Sequence, residues 1–465
     1  MVKKNYILVL FLIIILFSVG CSTKKYNKFQ YLLANGIESN NLEFVKCAID
    51  KKVDLNSLGA NTIDSEKNPL FTSLCNSDKR IVLLLLENGV DVNYKAGKLY
   101  DGANCLMIAA SNRYEDVCQL LIKKGIDINE KDNQGQNAID YAIQAGSNSY
   151  LEEKEILKLV KMLYKEGVEI SNKTKENILN EDESPHEMGQ TNIKYEIIKW
   201  LIDIGEINEL DLNKNQKIFY EIYLDNLKEI KKLSESQLNI KNSQYQDLLV
   251  VASKYGRTDI VKYLLEKGFN PKEKIKDTFY WNAIVYAATS GNLETLKTIT
   301  KSCKLSDKEL YRIICSSIDM LKIDDEYVDG ISYLADLMEN INEADGEEDN
   351  NILSKACSKG LYKTSEILMN KKNIDLNGNV LYEAVMSKNI SIIKLLIKNN
   401  IDVNQKPNYH ENEETKFVLY DAIMNGDYDI AKLLIENGAT IDKEMLEYID
   451  GHVSKRMRLL IESNL

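Results

Sequence analysis

A short phrase that recurs along the chain limits the folds open to it more than any other sequence feature. Apolar residues lead to a glycine and then to Asp-x-Asn in Leu85–Asn93; the phrase returns at 121–129 and, with Asn400 in place of the glycine, at 396–404. The glycines of the first two copies, Gly89 and Gly125, are 36 residues apart. A period of this length is typical of stacked repeats rather than of a single globular core. We therefore predict an array of similar repeats.

A second phrase begins about 20 residues before each copy of the first and predicts how a repeat folds. It opens with an asparagine followed by apolar and small residues, at Asn68, Asn104, Asn137, Asn282 and Asn379. Asparagine is a strong helix N-cap, and a glycine after the last turn takes the left-handed conformation that ends a helix. Apolar residues at helical spacing in 116–122 predict a second, longer helix. A helix pair of this size cannot bury its own apolar face, so we expect the pairs to stack.

These phrases resemble the ankyrin repeat. Residues 132–139 are similar to the family's Asp-x-x-Gly-x-Thr-Pro-Leu segment, with Asn137 in place of the threonine. The family's histidine after leucine is missing, so its hydrogen bond must be replaced or lost. The resemblance implies an all-α ankyrin-repeat solenoid of stacked helix-turn-helix units with short hairpin or loop connections. We predict about eleven units over 28–442, and C-terminal capping helices over 443–465. Tetratricopeptide repeats, the main helical alternative, lack the Gly-x-Asp-x-Asn exit.

The N-terminus has the pattern of an export signal. Lys3 and Lys4 precede an apolar run of 13 residues, Ile7–Val19, which is followed by Gly20 and Cys21. A helix of that length spans about 20 Å, too short for a hydrocarbon core of about 30 Å. The small residue before cysteine resembles a bacterial lipobox. We expect a lipoprotein signal peptide over 1–20, a lipid on Cys21 and a short tether over 21–27; the alternative is an ordinary signal peptide with a chance cysteine.

Composition and motifs argue against catalysis, metal binding and nucleic-acid binding. The formal charge is −12, whereas nucleic-acid binding needs a basic surface. Three histidines and the absence of any Cys-x-x-Cys pair leave no metal-ligand spacing. Phosphate-binding loops, nucleophile elbows and zinc-protease motifs are missing from the sequence. We predict a monomer that is not an enzyme and has no cofactor or metal.

The ankyrin resemblance implies protein recognition through hairpin tips and the exposed side of the first helices. Tyrosine, tryptophan and arginine dominate interface energies, so we looked for them at those positions. The candidates are Tyr100, Asp101, Arg113, Tyr114, Tyr280, Trp281 and Tyr409. The chain has 26 tyrosines, so packing within the array is the competing interpretation for each tyrosine. We predict in particular that Tyr280 and Trp281, which precede the cap Asn282, lie on a hairpin facing the concave groove.

Two functional hypotheses follow. The first is a membrane-anchored ankyrin-repeat lipoprotein of the bacterial cell envelope. It faces away from the cytoplasm, is held by lipid on Cys21 and acts as a protein–protein interaction scaffold for a partner that the sequence does not identify. The second is a structural spacer, or an envelope-organising array, with no dedicated partner.

Overall fold

The computed structural model of the protein describes most of the chain from residue 28 onward. The described residues are 28–58, 68–76, 79–144, 150–179, 195–242, 245–276, 278, 280–321, 327–343, 351–376, 379–405, 418–425, 427–441, 446 and 455–464. The expected signal peptide, tether and lipidation site at Cys21 lie outside these ranges, as does Tyr409. The domain boundaries that depend on them stay predictions.

Within the described ranges the chain forms 26 α-helices and no β-strand. The first thirteen helices are α1 (Lys28–Glu38), α2 (Leu42–Asp50), α3 (Pro69–Asn76), α4 (Lys79–Glu87), α5 (Cys105–Ser111), α6 (Glu115–Lys123), α7 (Ala138–Gln144), α8 (Tyr150–Lys165), α9 (Asn172–Leu179), α10 (Tyr195–Asp203), α11 (Lys214–Tyr223), α12 (Leu227–Ile230) and α13 (Glu235–Leu238). The others are α14 (Leu248–Lys254), α15 (Thr258–Glu266), α16 (Ala283–Ala288), α17 (Leu293–Ser302), α18 (Asp307–Met320), α19 (Val328–Asp336), α20 (Ile352–Ser358), α21 (Tyr362–Met369), α22 (Val380–Met386), α23 (Ile390–Lys398), α24 (Val418–Met424), α25 (Tyr428–Glu436) and α26 (Lys455–Glu462). The predicted all-α repeat fold is confirmed.

The helices group into two compact bodies. The first body comprises the described residues up to 144 together with 158–174, and the second comprises 150–157 together with the described residues from 175 onward. In the first body, α3, α5 and α7 pack in succession as the first helices of their repeats, and α2, α4 and α6 pack in succession as the second helices. In the second body, α14, α16, α18, α20, α22 and α24 follow one another in the same way.

Packing between successive repeats buries the apolar face that a single repeat leaves open. Leu106, Ala109 and Ala110 on α5 are fully buried, as is Val117 on α6. A buried leucine or valine side chain contributes about 1.5–3 kcal/mol, and the alanines bring the neighbouring helices close together. Stability is therefore distributed along each body rather than concentrated in one central core.

The asparagines that open the first helices cap them as predicted, with one exception. The side chain of Asn104 accepts a hydrogen bond from the Met107 amide at 3.0 Å, and Asn68, Asn137 and Asn282 cap their own helices. Asn379 does not, because its backbone is helical (φ −85°, ψ −2°), whereas the backbone of Asn104 is extended. The prediction of a capping side chain at Asn379 was wrong.

Two capping asparagines, Asn104 and Asn351, also tie their helices to the loop that leaves the repeat. The Asn104 side-chain amide donates to the Asp127 carbonyl at 3.1 Å, and that of Asn351, the cap of α20, donates to the Asp375 carbonyl at 3.0 Å. The threonine that the family has at this position carries its one donor on the capping oxygen itself and lacks the separate amide nitrogen that makes this bond. The second hydrogen bond of asparagine thus supplies a link within the repeat where the family's histidine is missing.

The asparagine at the end of Asp-x-Asn joins one repeat to the next. The Asn129 side chain accepts from the Glu169 amide at 2.9 Å and donates to the Gly167 carbonyl at 3.2 Å. Asn404 contacts Gly438 and Thr440 in the same way. Gly89 and Gly125, and Asn400 in the third copy of the phrase, have positive φ, which most L side chains rarely adopt. The sequence phrase therefore encodes both the helix end and the contact to the following repeat.

Candidate partner-binding surface

Tyr100 and Asp101 lie on the long hairpin of the first body, which is fixed to its neighbours. The Tyr100 ring meets Phe71 edge-on, with 5.1 Å between ring centroids, and is half-buried. Asp101 has a left-handed backbone, and its carbonyl accepts from the Asn133 amide at 2.7 Å. Tyr100 is therefore partly used for packing between repeats, while the neighbouring Leu99 is 65% exposed.

Arg113 and Tyr114 lie at the turn between α5 and α6. Arg113 has positive φ (59°), and Tyr114 is the residue before the first turn of α6. The Lys79 ammonium nitrogen is 5.7 Å from the centroid of the Tyr114 ring. Because Tyr100 and Asp101 precede α5, the two predicted pairs flank opposite ends of one seven-residue helix.

Tyr280 and Trp281 lie in the second body, directly before the cap Asn282, and their predicted orientation toward the concave groove stays a prediction. The Trp281 carbonyl accepts from the Ile275 amide at 2.9 Å, which closes the loop that carries both aromatic residues. Arg312, on α18 of the next repeat, donates to the Tyr280 hydroxyl at 2.8 Å, and its guanidinium carbon is 4.9 Å from the ring centroid. Tyr280 is half-buried and is already held in place by the following repeat.

Trp281 makes a different contact, within its own repeat. Its ring meets Tyr286 of α16 edge-on at 6.2 Å, and Trp281 is half-buried. The buried Tyr286 hydroxyl accepts from the Gln246 side-chain amide of the preceding repeat at 2.9 Å. The tryptophan therefore rests on an ordered side chain, and a partner that binds it meets a surface with little rotamer freedom left to lose.

Sequence reasoning missed a second cation–aromatic pair beside these residues. The Lys276 ammonium is 4.7 Å from the Tyr245 ring centroid and 3.3 Å from the Tyr245 hydroxyl. Tyr245 stands two residues before the cap Asp247, as Tyr280 stands two residues before Asn282. The repeated phrase that opens with asparagine does not point to Tyr245, because the helix cap that follows this tyrosine is an aspartate. We call Tyr245, Lys276, Tyr280, Trp281 and Arg312 the hairpin aromatic surface.

Carboxylates next to this surface are engaged inside the protein. Glu273 pairs with Lys241 at 2.8 Å, and Glu309 pairs with Lys272 at 2.7 Å. Asp307 accepts backbone hydrogen bonds at 2.9 and 2.7 Å from the loop after α19. Lys276 and Arg312 also contact tyrosine rings. The surface thus combines aromatic area with two cations on a chain whose net charge is negative.

Other groups in the described part of the chain give little chemistry. The seven described cysteines are free thiols, and burial raises the pKa of Cys118 and of Cys357 to about 12, which keeps both thiols protonated and unreactive. Among the described residues, no cluster of three or more His, Cys, Asp or Glu is placed to hold a metal ion. None of the described helices has the length and apolarity required to cross a bilayer.

Comparison with known protein families identifies the fold. The family model for ankyrin repeats (3 copies) matches residues 94–174, 186–309, 320–407 and 379–445, which together cover more than half of the chain. The chain belongs to the ankyrin-repeat family. Ankyrin-repeat proteins are generally non-enzymatic interaction modules. The repeats indicate a role in protein–protein interaction for this chain. A comparison with curated proteins gives no match.

Proposed function

We propose that this ankyrin-repeat protein is a monomeric, lipid-anchored interaction scaffold of the bacterial cell envelope. It faces away from the cytoplasm and binds a protein partner through the hairpin aromatic surface. The observation that carries the proposal is the pair of tyrosines at equivalent places in successive repeats, each in contact with a cation 31 or 32 residues later. Tyrosine, tryptophan and arginine are the residue types that dominate binding energy in protein interfaces.

Preorganisation supports the assignment of partner binding to this surface. Tyr280 is held by Arg312, and Trp281 by Tyr286, so most of the entropy cost of ordering these side chains falls on folding. Their half-buried rings still leave apolar area for a partner to cover. Such area at a central, ordered position is where large losses on alanine substitution occur.

The partner-binding part of the proposal is tested by a double substitution with a matched control. Tyr280→Ala with Trp281→Ala is expected to weaken capture of the partner from detergent-solubilised envelopes by roughly 2–4 kcal/mol. Tyr263→Ala is the control, because Tyr263 lies on α15, the second helix of its repeat, and is also flanked by cations, Lys231 and Lys267. Circular dichroism and urea unfolding of each variant establish that the array remains folded.

Either of two results would favour the structural spacer instead. The first is unchanged capture by a folded double variant, and the second is an equal loss with Tyr263→Ala. A double variant that unfolds easily while retaining affinity would identify Tyr280 and Trp281 as packing residues between repeats.

The envelope location rests on the sequence before residue 22. A charged start, a 13-residue apolar run and Gly20-Cys21 support lipid attachment at Cys21. Cys21→Ala is expected to release the protein from membranes or to leave it unprocessed, as measured by fractionation and by the mass of the mature chain. A processed Cys21→Ala variant that stays in the membrane fraction would exclude lipid on this cysteine.

A further inference from the structure

We infer that Asp247, the cap of α14, is a pH-sensitive switch that holds its repeat together more firmly in acid than at neutral pH. The protonated carboxyl of Asp247 donates to the backbone carbonyl of Asn270, in the loop that leaves the repeat. The ionised carboxylate lacks the hydrogen for that bond. The inference concerns the fold of the repeat that carries Tyr245, and it does not depend on partner binding.

The first step compares Asp247 with the asparagines that cap other repeats. The side-chain amides of Asn104, Asn137 and Asn351 donate to a backbone carbonyl of the exit loop at 3.1, 2.8 and 3.0 Å. Asp247 caps its helix as these asparagines do, since its backbone is extended and its side chain accepts from the Val250 amide at 2.8 Å. An ionised carboxylate only accepts hydrogen bonds, so this cap lacks the donor for the second bond at neutral pH.

The second step identifies the acceptor. In the repeat that Asn104 opens, the accepting carbonyl belongs to Asp127, 23 residues after the cap. The same spacing leads from Asp247 to Asn270, and both Asp127 and Asn270 follow a positive-φ glycine by two residues. The Asn270 carbonyl already accepts from the Glu273 amide at 3.1 Å, and a carbonyl oxygen has a second lone pair. That lone pair is the equivalent of the one that the asparagine amides use.

The third step concerns the proton on Asp247. The residue is 9% exposed, and burial raises the pKa of its carboxyl above the usual value, with Glu273 adding to the rise. The Val250 amide and Lys241 lower the pKa, but the net shift is upward. Lys241 and Glu273 also pair with each other at 2.8 Å, so they leave little net charge beside the carboxyl. The folded repeat therefore favours the neutral form of Asp247.

The helices packed against α14 are α11, α15 and α16. Lys214 begins α11 and Glu266 ends α15, and neither is among the groups that shift the pKa of Asp247. The titratable side chain of α16 is Tyr286, whose hydroxyl accepts from the amide of Gln246 at 2.9 Å. In the described surroundings of Asp247, burial by these helices thus governs its titration more than any single charged neighbour does.

The sign of the pH effect follows from the direction of the shift. A carboxyl whose pKa is raised by folding keeps its proton in the folded chain at pH values where the unfolded chain has lost it. The stability that Asp247 contributes therefore rises as pH falls through the raised pKa, and it stops rising below the ordinary value of 3.8. The Glu309–Lys272 pair responds in the opposite direction, so a comparison between variants at position 247 is needed to isolate the switch.

The switch lies in the segment that supports the hairpin aromatic surface. Tyr245 stands two residues before Asp247, and Gln246 holds the Tyr286 hydroxyl. The Tyr286 ring in turn meets Trp281 edge-on. Acid therefore steadies the repeat against which these aromatic rings pack.

The test measures hydrogen exchange by mass spectrometry on the full-length chain in detergent, with exchange times corrected for the intrinsic rate at each pH. Asp247→Asn supplies the amide donor at every pH, so at pH 7 it is expected to raise the protection of the α14 amides about fivefold, as one hydrogen bond would. At pH 4 the unchanged protein is expected to match this variant. Asp247→Ser keeps a capping oxygen and removes the charge without supplying the amide donor, so it is expected to give no gain.

Asp307→Asn is the matched control, because it makes the same change at a carboxylate that accepts backbone amides on both oxygens, at 2.9 and 2.7 Å. At pH 7 it is expected to lower the protection of the loop after α19 about fivefold. A gain in protection from Asp307→Asn equal to that from Asp247→Asn would show that removal of any negative charge stabilises this acidic chain, and would overturn the inference. So would an equal gain from Asp247→Ser, no gain from Asp247→Asn at pH 7, or a gain of the same size at pH 4.

Discussion

The capping asparagine of α5 offers a quantitative test of how this chain replaces the usual ankyrin side chains. Asn104 is 5% exposed, accepts from the Met107 amide at 3.0 Å and donates to the Asp127 carbonyl at 3.1 Å. Loss of an N-cap costs about 1 kcal/mol, and loss of a second hydrogen bond costs about 1 kcal/mol more. Asn104→Ala is therefore expected to lower the local stability by about 2 kcal/mol.

Threonine at the same position separates the two bonds. Asn104→Thr keeps the oxygen that caps the helix and removes the amide donor to Asp127, so it is expected to cost only about 1 kcal/mol. Asn88→Ala is the control, because the exposed Asn88 side chain donates to the Leu84 carbonyl within its own helix end. That control is expected to change stability by less than about 0.5 kcal/mol.

Native-state hydrogen exchange resolves these effects locally, which matters because a repeat array need not unfold in one step. Asn104→Ala is expected to speed exchange of the α5 and α6 amides roughly thirtyfold, at about 1.4 kcal/mol for each factor of ten. Amides of α20–α24 are expected to keep their rates, because stability is a sum of local terms. Equal effects of Asn104→Ala and Asn104→Thr would refute the role assigned to the amide donor.

Two further predictions concern contacts between successive repeats in the second body. The hydrogen bond from Lys272, together with the Ser306 amide, lowers the pKa of Glu309, so the stabilisation from this pair is present above about pH 4.5 and is lost as pH falls through the lowered pKa. In urea unfolding across pH, Glu309→Gln is expected to lower the free energy of unfolding by about 0.5 kcal/mol at pH 7 and by progressively less below pH 4.5. A loss of stability that does not depend on pH would contradict the ion pair. Gly330→Ala would place a Cβ 2.3 Å from the Ala288 carbonyl oxygen, so hydrogen exchange is expected to show α16 and α19 destabilised by about 1–3 kcal/mol. Without this clash, a Gly→Ala change inside a helix stabilises by up to about 1 kcal/mol, so a stabilised variant would contradict the close approach.

Local sequence chemistry predicted the fold well because the repeat encodes its own helix ends. The asparagine caps at Asn104 and Asn282 and the positive-φ glycines need only nearby residues, and the structure confirms them. Asn379 has the same sequence phrase and fails to cap, because its backbone conformation is helical. Asn104 and Asn282, whose own backbones are extended, realise the propensity for capping.

The composition of the candidate site was harder to predict, because it depends on which side chains of successive repeats meet. Tyr280 and Trp281 could be picked out from their position before a cap, but Arg312, the partner of Tyr280, lies 32 residues later on a helix. The Tyr245–Lys276 pair was missed because its repeat opens with aspartate. Pairings at a distance of one repeat depend on the stagger between neighbouring helix pairs, which no single phrase specifies.

Site-specific photo-crosslinking tests the central claim, partner binding at the hairpin aromatic surface, most directly. A benzoylphenylalanine placed at Trp281 in cells is compared with the same probe at Tyr263, on the second helix of the preceding repeat. We predict one discrete protein adduct from position 281 that is absent from position 263. The absence of any adduct from position 281, or the same adducts from both positions, would contradict the account.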